Sequence, residues 1–411
     1  MSKKSNKGKF NPFPAPKRGK GRCVLKRPSA MKTKAWKETP YVRHSSKQTA
    51  QNIKLDRKMW KRSLPEILRA SDKCLVKMLL EDELLSSWAG KTCPRCGKGT
   101  LSKLDSGDKP RHRCSYWKCH VYINPQHLHP LFLDSRGSSC VPLQTQAALL
   151  FLKINNVPHA TIHRVLGINH KAIEDLANRL HALRKKYVEA KEKEIDFGSG
   201  VAWGDVEADE TTFDRRNLGA TAVDKSTPIA WEQWCGLVKR GHPETLVLHR
   251  LSPKMSETRA PGPGAIRKVE WTPLGNKWLK NKKIVLHTDA AKSYKCHIPG
   301  VVHDNVIHCK KRVKINGKWK WQGPNYVRLV SHKVPGKKTP VRCKAGTQVI
   351  DRAWRFLKDR LQINQASRVG SAALRAKLRS AQYEYWHRNR DMWVATGSLC
   401  AWEMAKFIPA S

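Results

Sequence analysis

Apolar positions along this 411-residue chain change period several times, and each change marks an element. Residues 1–62 hold no sustained period. The first 50 of them carry 15 Lys and Arg against one acid, Glu38. Such a segment cannot bury enough apolar surface to offset its chain entropy, so it reads as a disordered basic tail. In residues 63–90, Ile67, Leu68, Leu75, Met78, Leu79, Leu84 and Leu85 predict a linker of one or two short helices. Over 141–195 the period is helical. Helices are predicted at 143–154, at 159–166 with Gly167 as its stop, and after Asn169, where Ile173, Leu176, Leu180, Leu183 and Tyr187 form one stripe.

Within residues 200–365 stretches of period two appear, read as strands. The strand at 201–213 places Asp205, Glu207 and Asp209 on one face and Val206 and Ala208 on the other. Strands follow at 229–238 and 244–251 as a meander, and at 283–287, which runs into Thr288-Asp289. Asn316-Gly317 is a two-residue hairpin turn. Val313, Ile315, Trp319 and Trp321 are expected on a face packed against the domain. Lys314, Lys318 and Lys320 fall on the other face, solvated or laid along a phosphate backbone. A helix over 347–361 carries Ile350, Ala353, Trp354, Leu357 and Leu361 as its core stripe, with Asp351 at the edge. Residues 366–411 form a helical tail (Leu374, Leu378 and Tyr385, then Trp386, Trp393 and Trp402) suited to packing or to a subunit contact.

Charge narrows the function. Eighty Lys and Arg against 33 Asp and Glu leave +47. Self-repulsion on that scale fits a polyanion partner, above all nucleic acid, and argues against an enzyme for small neutral metabolites. No run of about 18 apolar residues occurs, so no membrane span is expected. The amino-terminal residues lack a secretory pattern, which implies an intracellular, reducing setting. The twelve Cys are then free thiols or metal ligands. Basic clusters at 17–22 and 26–27 fit either a nuclear address, in a eukaryotic host, or phosphate contacts.

Cys93-Pro94-Arg95-Cys96-Gly97 is a tight knuckle, and Cys114 and Cys119 follow with four residues between them. Four thiolates in two pairs match a tetrahedral ion, so residues 91–130 are expected to form a zinc ribbon, with His112 and His120 as substitutes for one thiolate. The helices at 141–195 suit a helix-turn-helix, in which His170, Lys171, Asn178 and Arg179 would face DNA; an ordinary helical spacer fits the pattern equally.

Between Trp271 and Ile350 the only acids are Asp289 and Asp304, among many basic residues. Carboxylates on two strands and a helix are the chemistry of two-metal phosphoryl transfer, with Mg²⁺ or Mn²⁺ held by oxygen ligands.

Three motifs carry a resemblance: Val206-Glu207-Ala208-Asp209-Glu210-Thr211; His287-Thr288-Asp289; and Asp351-Arg352-Ala353-Trp354-Arg355-Phe356-Leu357-Lys358. With the ribbon and helical region before them, the chain over about 90–365 resembles the Merlin superfamily of DDE transposases and related bacterial insertion-sequence transposases. The resemblance implies a ribonuclease H-like α/β catalytic domain with a mixed five-stranded sheet. It implies Asp209, Asp289 and Asp351 as the metal-binding triad and His332 as an auxiliary residue. It implies strand cleavage and transfer at the ends of a double-stranded DNA element by a homo-oligomer. The family's last acid is usually Glu, and here it is Asp351. That shorter acid keeps open an alternative, a domesticated or inactive transposase-derived DNA-binding protein. A structural RNA-binding protein is the remaining reading.

Overall fold

The computed structural model describes residues 33–43, 60–105, 107, 110–134, 141–198, 202–218, 228–257 and 262–408. Most of the expected basic tail, and both basic clusters in it, lie outside the described residues. The chain divides into two compact units, Met1–Pro40 and Tyr41–Ser411. In the first, helix α1 (Lys34–Glu38) is capped by Thr33, whose hydroxyl accepts the Trp36 N–H at 3.3 Å. The second holds everything described below. Assigning all of 1–62 to a structureless tail needs correction: α1 is helical, and Tyr41 and Arg43 are bonded to acids of the central sheet.

That sheet has the strand order β5-β4-β3-β7-β8, built from β3 (Gly204–Asn217), β4 (Ile229–Lys239), β5 (His242–Arg250), β7 (Ile284–Asp289) and β8 (Val301–Val306). β3, β4 and β5 form an antiparallel meander, while β7 and β8 add in parallel to β3. A short strand, β6 (Lys254–Ser256), pairs with the start of β4, one strand more than expected.

Both faces are covered. Val206 and Ala208 of β3 pack with Cys235, Leu237, Ile284 and Leu286 under Trp271, Trp278 and Leu279 of helix α7 (Lys268–Leu279). The opposite face meets α8 (Gln348–Arg360) through Ile350, Ala353, Trp354 and Leu357 of the predicted stripe, while Leu361 falls just past the helix and is partly buried. This larger core also takes in helices α2 (Leu64–Arg69), α3 (Asp72–Glu81), α4 (Leu143–Ile154), α5 (His159–Leu166), α6 (His170–Lys191), α9 (Ala372–Trp386) and α10 (Met392–Met404). The Trp-rich tail therefore packs within its own chain: Trp393 is buried, and its indole N–H reaches Asp82 at 2.7 Å.

Outside the sheet, β1 (His112–Arg113) pairs with β2 (Tyr122–Ile123), and β11 (Arg328–His332) with β12 (Val341–Ala345). The predicted hairpin is present as β9 (Lys311–Ile315) and β10 (Lys318–Gln322), with Asn316 and Gly317 both at positive φ as its turn requires. Its expected faces are wrong. A two-residue turn sets Lys318 opposite Ile315, so Val313 shares a side with Lys318 and Lys320, and the tryptophans share one with Arg312 and Lys314. Trp319 and Trp321 are exposed, not packed on the domain. Among the described residues, no helix is long and apolar enough to cross a membrane.

Candidate metal centre

β3 and β7 run in parallel, and the last rung of their ladder joins Glu207 to His287. Two residues further along each strand stand Asp209 and Asp289, returned by the strand period to the face beneath α8. Glu207 fixes that helix. Its Oε2 accepts the Val349 and Ile350 N–H groups at 2.7 and 2.9 Å, and Oε1 accepts Arg240 Nε at 2.6 Å and the Tyr41 hydroxyl at 2.7 Å. A carboxylate is thus bound to the positive end of α8, one residue before Asp351. One turn later the Trp354 indole N–H donates to Asp209 Oδ2 at 3.0 Å. Space for that ring comes from Gly236, opposite Asp209 in register, where a Cβ would lie 2.5 Å from the indole.

The acids feel one another. Burial pushes the Asp209 carboxyl well above the usual range, and the charges of Glu210, Asp351 and Asp289 push it further. Asp351 opens to solvent, yet partial desolvation raises it too, against a hydrogen bond from the Thr347 hydroxyl at 3.2 Å. Glu210 is raised by burial in spite of bonds from the Tyr294 hydroxyl and the Ile266 N–H. Among the described residues, the groups whose ligand atoms lie within 4.8 Å of one another do not include Asp209, Asp289 and Asp351, so these acids share a face without forming a closed ligand set.

Next to this group lies a second cluster. His287 donates from Nδ1 to Asp304 Oδ1 at 2.8 Å and from Nε2 to Asp205 Oδ1 at 3.1 Å, and Arg43 clamps both Asp205 oxygens at 2.7 Å. His332 Nε2 meets Asp304 Oδ2 at 2.8 Å, which ties the expected auxiliary residue to this cluster through Asp304. Burial would raise Asp205 and Asp304, but His287, with Arg43 on one and His332 on the other, holds both well below the usual range. Ligand atoms of Asp205, His287 and Cys343, and those of Asp304, His332 and Cys343, lie within 4.8 Å of one another in each set.

Cys93, Cys96, Cys114 and Cys119 bring four sulfurs within 4.8 Å of one another, the arrangement the spacing predicted. The four-residue gap between the last two closes because Cys119 and His120 both donate to the Tyr116 carbonyl, with His120 at φ 43°. Backbone N–H groups of Gly99 and Lys98 pull the Cys96 thiol down to about 6, whereas burial and its sulfur neighbours push Cys114 up to about 12. Gly99 is required here, since a Cβ would sit 2.5 Å from Cys114 Sγ. His112 turns away to the Ser102 carbonyl at 2.7 Å. The four thiols suit zinc.

The helical residues are only partly available. His170, Lys171 and Asn178 are exposed, but Glu174 and Asp175 stand among them, Arg179 is half-buried, and His170 stacks on His163 at 4.1 Å. From Leu180 onward one face of α6 (Leu180, Leu183, Arg184, Val188) is buried on the carboxy-terminal helices, with a 2.6 Å Arg184–Glu384 ion pair. Lys314, Lys318 and Lys320 are all exposed.

Sequence reasoning did not find the Glu207–Arg240–Tyr41 brace, the Arg43 clamp or the role of Gly236. Only the glycine left a signal, an isolated Gly within a strand pattern. No protein-family model matches the chain, and no curated protein or solved structure matches it. Clusters able to coordinate metal in a mixed α/β fold are consistent with a metal-dependent catalytic domain in general.

Proposed function

We propose that the chain is a DNA transposase of the DDE class, akin to the Merlin superfamily, with a ribonuclease H-like domain spanning roughly the central sheet and α8. The observation that supports this reading is the placement of Asp209 and Asp289 two residues past the last rung of neighbouring parallel strands, on the face where Glu207 fixes the first turn of α8, which carries Asp351. A meander extended by parallel strands, in the order β5-β4-β3-β7-β8, supports the fold assignment. The net charge of +47 supports DNA as the partner.

In this reading Asp209, Asp289 and Asp351 hold Mg²⁺ or Mn²⁺, and the four cysteines hold structural zinc. Two divalent ions, when bound, would activate the attacking oxygen and stabilise the leaving one. Glu207 and Trp354 position the acids. The exposed residues of α6 and the lysines of the hairpin hold duplex DNA, and a homo-oligomer, in the nucleus of a eukaryotic host or otherwise on intracellular DNA, brings two element ends together. The test is cleavage of duplex DNA carrying the element's own ends. Wild type with Mg²⁺ or Mn²⁺ should nick it, and Asp209→Ala, Asp289→Ala or Asp351→Ala should abolish nicking and strand transfer together while binding persists. Inert wild-type protein under both metals would point to a DNA-binding protein without this chemistry.

A further inference from the structure

The β9–β10 ribbon carries two tryptophans, Trp319 and Trp321, that no part of this reading uses. Among the described residues its strands pair only with each other. Register places Trp319 opposite Lys314 and Trp321 opposite Arg312, so the four side chains share one face. Neither indole is covered: Trp319 is 59% exposed and Trp321 71%. The Arg312 guanidinium lies 5.5 Å from the Trp319 ring.

The position of the ribbon is equally specific. β8 ends at Val306, the rung opposite Asp289, and the ribbon starts five residues later. Its returning strand is tied back by the Asn325 N–H to the Ile307 carbonyl at 2.8 Å. At this stem His308 lies 3.5 Å from the Thr347 hydroxyl that bonds Asp351. The ribbon therefore springs from the end of the sheet that carries Asp289, beside Thr347 and Asp351, and each of its five-residue strands is about 17 Å long. From 305 to 350 the chain holds twelve Lys and Arg and no acid.

We propose that this face binds unpaired bases of DNA beside the strand to be cut, with Trp319 and Trp321 stacking on bases and Arg312 and Lys314 contacting the flanking phosphates. Lysines alone would serve a duplex backbone, but indoles gain nothing from phosphates. A base offers its ring face only after leaving the duplex stack, and stacking on aromatic side chains is tolerant of sequence. The inference rests on DNA as the substrate and adds the state of the strand at the site.

The experiment uses the full chain in EDTA, so that no cleavage chemistry is required. Fluorescent duplexes of one sequence, fully paired or with a three-nucleotide unpaired bubble, are titrated with wild type and three double variants. An RNA bubble of the same sequence and the sedimentation of each variant complete the set. Wild type should prefer the DNA bubble, and W319A/W321A should lose that preference by roughly 5- to 150-fold per stacked base. W319F/W321F should keep most of it, which separates lost stacking from a misfolded ribbon. K318A/K320A, on the other face, should weaken paired and unpaired DNA alike. The proposal is overturned by equal binding of both DNAs by wild type, by an unchanged preference in W319A/W321A, by stronger binding of the RNA, or by an oligomer that the tryptophan variant dissociates. A tryptophan-dependent bubble preference in a chain that never cleaves would sustain this site and defeat the transposase reading instead.

Discussion

Glu207→Ala should destabilise the chain by about 3–5 kcal/mol, although Glu207 touches neither substrate nor metal in the proposed scheme. The carboxylate is 0% exposed and faces Arg240, which is itself buried. Its removal leaves a guanidinium bonded only to the Tyr41 hydroxyl and the carbonyls of Tyr41, Lys344 and Gly346, with no countercharge in contact. It also strips the acceptor from two N–H groups at the start of α8, each bond to a charged group being worth about 1.5–3 kcal/mol. These losses overlap, because one carboxylate makes them all, so the lower total applies. At roughly 2 °C per kcal/mol for a large domain, Tm should fall by about 6–10 °C in a calorimetric scan. Replacing both partners, as in Glu207→Met with Arg240→Met, should cost less than Glu207→Ala alone, because no buried charge is left unpaired. A cost below about 1 kcal/mol for the single change, or a double variant worse than the single, would refute the brace. Asp351 should lose its seat as well, weakening Mn²⁺ binding by the mutant at temperatures where it is still folded.

Gly236→Ala should overpack the site by about 1–3 kcal/mol and weaken Mn²⁺ affinity, since the added methyl meets Trp354 and Trp354 holds Asp209; unchanged affinity would show that the indole does not position the acid. The purified chain should carry one zinc per molecule, lost in Cys96→Ser, as read by atomic absorption; folded protein with less than half an equivalent would contradict the site. His129 accepts the Leu131 and Phe132 N–H groups on Nδ1 and donates from Nε2 to the Leu84 carbonyl, and burial lowers it from 6.5 to about 4. Its contribution is therefore complete above pH 6.5 and is lost as pH falls toward 4, roughly 3 kcal/mol in all at about 1.4 per pH unit. Urea titrations across that window should show a flatter pH dependence in His129→Gln.

Periodicity disclosed the elements more fully than their contacts. The stripe Ile350, Ala353, Trp354 and Leu357 and the alternation of Val206 and Ala208 against Glu207 are properties of single elements, so the burial they predict is the burial seen. Cysteine spacing worked for a similar reason, since two pairs that close on one tetrahedral site constrain each other. The hairpin failed on relative phase. Each strand alternates correctly by itself, but the turn decides which faces coincide, and a two-residue turn puts Ile315 opposite Lys318. Glu207 and Arg240 are 33 residues apart and join only when β3 and β4 pair, so nothing local marks Glu207 as a brace and Asp209 as a site. Tyr41 and Arg43 were hidden by the basic composition around them, although each bonds an acid of β3.

In the proposed function Asp209, Asp289 and Asp351 grip a divalent cation against the leaving oxygen of the cut strand, and sulfur substitution reads that contact directly. In an element-end duplex whose bridging 3′-oxygen at the cleaved position is replaced by sulfur, the hard ion Mg²⁺ should support cleavage at least about ten-fold more slowly than with oxygen, and the softer Mn²⁺ should restore much of the rate. Asp209→Ala should cleave neither substrate with either metal. An identical sulfur effect in Mg²⁺ and Mn²⁺, or cleavage that persists in EDTA or in Asp209→Ala, would contradict a carboxylate-held metal at the scissile phosphate.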